Sequence, residues 1–212
     1  MTLRVQPLAL LLAFALARGA PLHAQRSASL HVVLPATPAV QGPVVEARDM
    51  LEGSRMREPL AAGFPARLHF RVELWTEGKL FNDRVGGVEY DVLVRFIALE
   101  KVYEVLLMER GRKPFSLGKF ASVDDAERAV GRPTPVAITA PRSKGRLYYQ
   151  VSLEVAILDF SDLDEVGRWL RGVGGERNPG TALTRGVRGI AARLLGGQSR
   201  EYEATTATFR VP

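Results

Sequence analysis

The feature that most constrains this chain is a period of two in its hydrophobicity. Over residues 66–76, Leu68, Phe70, Val72 and Leu74 alternate with Arg67, His69, Arg71 and Glu73. Successive residues of a strand point to opposite faces, so the pattern predicts a β-strand with one buried and one polar face. The alternation returns twice. Val88, Tyr90, Val92, Val94 and Phe96 alternate with Glu89, Asp91, Leu93 and Arg95. Leu147, Tyr149, Val151, Leu153, Val155 and Ile157 then share one face over residues 146–158. Residues 101–108 read as a further strand, close behind the second. Three successive strands with short links predict an antiparallel meander. Thr76-Glu77-Gly78-Lys79 is its first turn, and Gly86-Gly87 predicts a bulge or tight bend beside it.

Shorter segments frame these strands. Residues 30–34 and 44–48 are β-like, with a Pro/Gly loop over 35–43 between them. Residues 54–62 read as a short helical piece, limited by Pro59 and stopped at Gly63. Ser122 is placed to cap a helix running to Val130, with Asp124 and Asp125 where the helix dipole favours negative charge. Residues 135–140 read as an edge strand. Ser161 opens a helix through Leu170, residues 172–180 form a Gly-rich loop, and residues 181–195 read as an amphipathic helix. Residues 202–211 read as a final strand. There are no internal repeats and no domain-sized linker. The expected fold is one α+β domain over residues 25–212: mainly an antiparallel β sheet or sandwich, with about three short helices. One sheet or two stays open.

Residues 1–24 read as a secretory signal peptide. Arg4 supplies the positive start, residues 7–17 are an uncharged apolar run, and Leu22-His23-Ala24 offers a small residue at the cut. The run is too short for a membrane span, which needs about 20 apolar residues. Cleavage leaves 188 of the 212 residues and removes Arg4 and Arg18, so the net charge falls from +6 to +4. The expected location is outside the inner membrane, in the periplasm or cell envelope. The chain has no cysteine, so its fold must be held by core packing alone.

Several chemistries lack their signatures. After cleavage only His31 and His69 remain, and no Gly-x-Ser-x-Gly turn is present, which argues against a serine nucleophile. His69 stands among charges on the polar face and reads as a surface histidine. Asp159, Asp162, Asp164 and Glu165 lack the alternate ligands and central glycine of a calcium loop, so no metal is expected. The glycine clusters do not follow a strand and open a helix at phosphate-binding spacing, so no cofactor is expected. Arginines interspersed with acids read as a solvated surface rather than a nucleic-acid footprint. Glu73, Asp83, Glu89 and Asp91 fall on or near adjacent strands, but their alternation beside arginines is that of a solvated sheet face.

A resemblance joins these readings. Gly63-Phe64-Pro65, then Leu68-His69-Phe70-Arg71-Val72-Glu73-Leu74-Trp75, the turn Phe81-Asn82-Asp83, the strand end Val102-Tyr103-Glu104-Val105 and the helix start Ser122-Val123-Asp124-Asp125-Ala126 resemble the exported bacterial family called domain of unknown function 4390. The likeness spans roughly residues 40–171. It implies export and a β-rich fold and brings no activity and no catalytic residues. Through genomic neighbourhood alone it suggests a sensor kinase as a partner.

The expected function is a non-enzymatic exported domain that binds a protein partner of the envelope. A small-ligand or lipid carrier is the alternative, and a hydrolase built on a carboxylate pair the second. The candidate binding residues are Trp75 and Arg71, on the polar face of one strand, and Arg185 and Arg188, beside the apolar stripe of the 181–195 helix. Tryptophan and arginine dominate contact energies, and a basic amphipathic helix can lie on a membrane surface.

Overall fold

The computed structural model describes residues 27–78, 80–158 and 199–211. Among them, ten strands and two helices follow in the order β1 (Ser29–Val33), β2 (Val44–Arg48), α1 (Ser54–Ala61), β3 (Ala66–Glu77), β4 (Asp83–Ile97), β5 (Val102–Glu109), β6 (Phe115–Phe120), α2 (Val123–Val130), β7 (Thr134–Pro135), β8 (Ser143–Ile157), β9 (Arg200–Thr205) and β10 (Phe209–Val211). The architecture is the expected α+β one, built on antiparallel strands in two sheets. The larger sheet is curled and runs β10-β8-β3-β4-β5-β6, with β9 also paired to β8. The smaller is β1-β2-β7.

β3 is the spine of the larger sheet. It pairs along its whole length with β8 on one side and β4 on the other. Its inner-face residues Ala66, Leu68, Phe70, Val72 and Leu74 are at most 3% exposed. Phe70 lies opposite Tyr90 of β4, and the two rings stack with centroids 4.8 Å apart. Tyr149 of β8 stacks on Phe209 of β10 and donates its hydroxyl to the Ile138 carbonyl at 3.2 Å. A buried tyrosine hydroxyl needs such a partner, because an unpaired one costs about 1–3 kcal/mol.

A second layer covers this inner face. It comprises the small sheet, the two helices and residues 136–140. Val45 and Ala47 of β2, Met56 and Leu60 of α1, Ala126 and Val130 of α2, and Val136 and Ile138 join the strand residues in one core. Gly42 brings β2 and this connection together: a Cβ there would sit 1.7 Å from the Val136 carbonyl oxygen, so no side chain is tolerated. Ser122 caps α2, its hydroxyl accepting from the Asp125 amide at 3.1 Å. Glu127 of α2 is 6% exposed, and both its carboxylate oxygens accept from the Leu51 amide at 3.0 Å. The carboxylate thereby pins the β2–α1 turn to α2.

The structure departs from expectation in three places. β6 follows β5 directly and was not anticipated, because a bulge at Leu117 breaks its alternation: Val105 faces Gly118 while Leu106 faces Ser116. The strand expected over 135–140 contracts to Thr134–Pro135, and beyond it single backbone bonds, Val136 to Pro43 and Ala140 to Pro38, replace a ladder. The strand expected over 202–211 is two. Thr206 interrupts it, taking the Tyr149 carbonyl with its amide at 2.9 Å and the Tyr149 amide with its hydroxyl at 3.0 Å. The leader expected over 1–24, the helices expected over 161–170 and 181–195, and the loop expected over 172–180 lie outside the described residues.

Candidate functional site

Because one face of the larger sheet is spent on the core, the chemistry lies on the other. Strand pairing arranges this outer face in rows. His69 stands between Asp91 and Glu154, Arg71 between Glu89 and Ser152, Glu73 between Gly87 and Gln150, and Trp75 between Arg84 and Tyr148.

One end of the face is closed. Leu93, Leu106, Met108 and Leu158 form a small second apolar cluster there. Beside it Arg67, 6% exposed, donates from Nε to Asp91 Oδ1 at 2.7 Å. His69 Nδ1 lies 2.9 Å from the same oxygen and 3.2 Å from Arg67 Nη2. One ring nitrogen cannot donate to a carboxylate and accept from a guanidinium together, so the shorter contact assigns the Nδ1 proton to Asp91. Burial alone would push the Asp91 carboxyl up, but the His69 hydrogen bond and the Arg67 charge outweigh it and hold it below its ordinary value. His69 is therefore not the plain surface histidine its charged surroundings suggested. Its neighbours form a buried polar knot that is electrostatically closed.

The middle of the face is a lattice of ion pairs. Arg71 Nε reaches Glu89 at 3.0 Å, and Arg84 Nε reaches Glu73 at 2.9 Å. Of the four carboxylates weighed as hydrolytic partners, Glu73, Glu89 and Asp91 are each held by an arginine. No hydrogen bond among the described residues joins Ser152, one row away, to His69. Nor do the described residues group three His, Cys, Asp or Glu side chains around a possible metal position.

The far end is different. Trp75 and Tyr148 are direct cross-strand neighbours, both half-buried. Trp75 Nε1 donates to Glu73 at 3.3 Å, and Asn82 Nδ2 donates to the Tyr148 hydroxyl at 3.0 Å. Asn82 also accepts from the Gly78 amide, at 3.2 Å. The β3–β4 turn is thus tied to the Tyr148 side chain, while Trp75 is held to Glu73 of its own strand. At its apex Leu80 and Phe81 are 88% and 83% exposed. Val85, the extra residue of a bulge between the Leu74–Gly86 and Trp75–Arg84 pairs, is exposed beside them. The bulge sits where Gly86-Gly87 predicted it.

Of the expected binding residues, the structure places Trp75 and Arg71 on one face of β3 with Glu73 between them, and Arg71 is already ion-paired. Arg185 and Arg188 lie outside the described residues. Tyr148 and Arg84 went unread. Tyr148 was available from parity, since Tyr149 belongs to the buried set and its neighbour must face outward. Arg84 was hidden because the bulge shifts its register. No family model matches the chain, and no curated protein or solved structure matches it either.

Proposed function

We propose that the protein is a non-enzymatic binding domain that works after export, in the cell envelope, and takes a protein partner on the outer face of β3, β4 and β8. The pairing of Trp75 with Tyr148 amid arginines carries this reading. Tryptophan, tyrosine and arginine are the side chains that dominate interface energies, and rigid aromatics lose little conformational entropy on binding. Here both aromatics are held by hydrogen bonds before any partner arrives. The leader pattern of residues 1–24 and the likeness to an exported family support the location. A membrane-bound sensor kinase is the partner that the family association favours.

A photo-crosslinking residue at Gln150, between Tyr148 and Ser152 on the outer face, tests the proposal in the native host. It should capture one reproducible envelope protein. The double variant Trp75→Ala/Arg71→Ala should lose that capture while keeping its circular dichroism. Capture unchanged by the double variant would exclude this face as the contact.

A further inference from the structure

The apex of the β3–β4 hairpin has a second property that the partner face does not use. β4 pairs with β5 only from Tyr90 onward, so residues 83–89 project past β5 with the turn at their tip. The turn lifts Leu80 and Phe81 almost wholly into solvent, and Val85 adds to the same end. Two large apolar side chains side by side on a turn, with no core beneath them, are open to an apolar medium.

The charges beside the apex say which medium. Arg84 and Arg146 flank the hairpin and are neutralised by Glu73 and Glu77. Arg142 and Arg210 are exposed at the same end and make no ion pair among the described residues. Their place follows from the register, which sets Val211 against Ser143 and Arg146 against Glu77. Asp83 is the exposed carboxylate at this end. Two arginines with no ion pair among the described residues therefore stand level with the apolar tip, against one exposed carboxylate. The aromatic pair Trp75–Tyr148 stands further back: Tyr148 is six residues from Arg142, about 20 Å at roughly 3.3 Å per residue. An apolar tip with arginines level with it suits a bilayer surface, where acyl chains and anionic headgroups meet.

We infer that the β3–β4 hairpin end docks on an anionic lipid surface, with Leu80 and Phe81 entering the acyl boundary and Arg142 and Arg210 meeting the headgroups. Docked this way, the Trp75–Arg71 face stands beside the membrane, turned toward a membrane-anchored partner. The inference does not rest on that partner, and the two can fail separately.

The test is flotation of residues 25–212, which hold every described element, with vesicles of phosphatidylcholine alone or with about one third phosphatidylglycerol. Binding should be at least tenfold tighter to the anionic vesicles and should weaken with salt. Leu80→Ser/Phe81→Ser and Arg142→Glu/Arg210→Glu should each lower it at least tenfold. Neither pair touches the core, so unchanged melting shows the loss to be local. Equal binding to neutral and anionic vesicles, or undiminished binding by the serine variant, would overturn the inference. So would a Phe81 photo-crosslink that captures a protein while the wild-type chain ignores both vesicles.

Discussion

Arg67 carries a full charge at 6% exposure, so its guanidinium must be compensated inside the outer layer of the sheet. Asp91 supplies that compensation and His69 orients it. Removing one member of such a buried pair strands the other. Arg67→Met should cost about 3 kcal/mol in urea unfolding. The double variant Arg67→Met/Asp91→Leu should recover much of that loss, because a packed apolar pair has no charge to desolvate. A double variant no more stable than Arg67→Met would show that the ion pair itself holds the strands in register. Glu127 poses the converse problem. Burial, with Glu52 and Asp49 nearby, pushes its carboxyl up to about 7 despite the Leu51 and Met50 amides that favour the ionised form. A pKa raised in the folded state contributes stability that is fully present below the unfolded value and is lost as pH rises through about 7. From pH 5 to 8 the wild type should lose roughly 3 kcal/mol that Glu127→Gln does not lose. Parallel urea titrations of the two proteins measure the difference.

At the scale of elements, the hairpin separates stability from exposure. Leu80→Ser/Phe81→Ser should leave the melting temperature within about 2 °C of wild type, because surface substitutions away from special features rarely exceed 0.5 kcal/mol. Phe70→Ala, in the middle of β3, should cost about 4 kcal/mol by emptying the stack on Tyr90. β3, β4 and β8 were legible because a strand with one wet face writes its geometry directly into alternating polarity. α1 and α2 were legible through Pro59, Gly63 and the Ser122 cap. β6 was not, since its bulge at Leu117 turns the following residues over and erases the period. The break at Thr206 was invisible because a threonine hydroxyl replacing a backbone acceptor leaves no mark in hydropathy. On the outer face, sequence separates polar from apolar but not buried from exposed. Arg67 and Arg71 look alike there, and only the apolar cluster of Leu93, Leu106, Met108 and Leu158 distinguishes their surroundings.

For the molecule as a whole, the absence of cysteine leaves stability to packing and ionisation. The Asp91 carboxyl, held low, contributes stability above its ordinary value near 4 that is lost as pH falls below it. With Glu127 acting in the opposite sense, urea midpoints should peak at mildly acidic pH and fall on both sides. A maximum at pH 8 or above would contradict that balance. The seven-stranded sheet has one more consequence, and it concerns time. One edge of β8 is covered by β9 and β10, which join only after a separation of 45 residues between Val155 and Arg200. A chain made from its N-terminus completes β8 well before the strands that will cover it. Until residues 200–211 pair with it, that edge of β8 lacks the partner strands it has in the folded protein. An open edge is a template for another chain, so a polypeptide ending at residue 198 should scatter light at concentrations where the whole one stays clear. Residues 200–211 thus serve the molecule less by what they add to its core than by the edge they deny to a neighbouring chain.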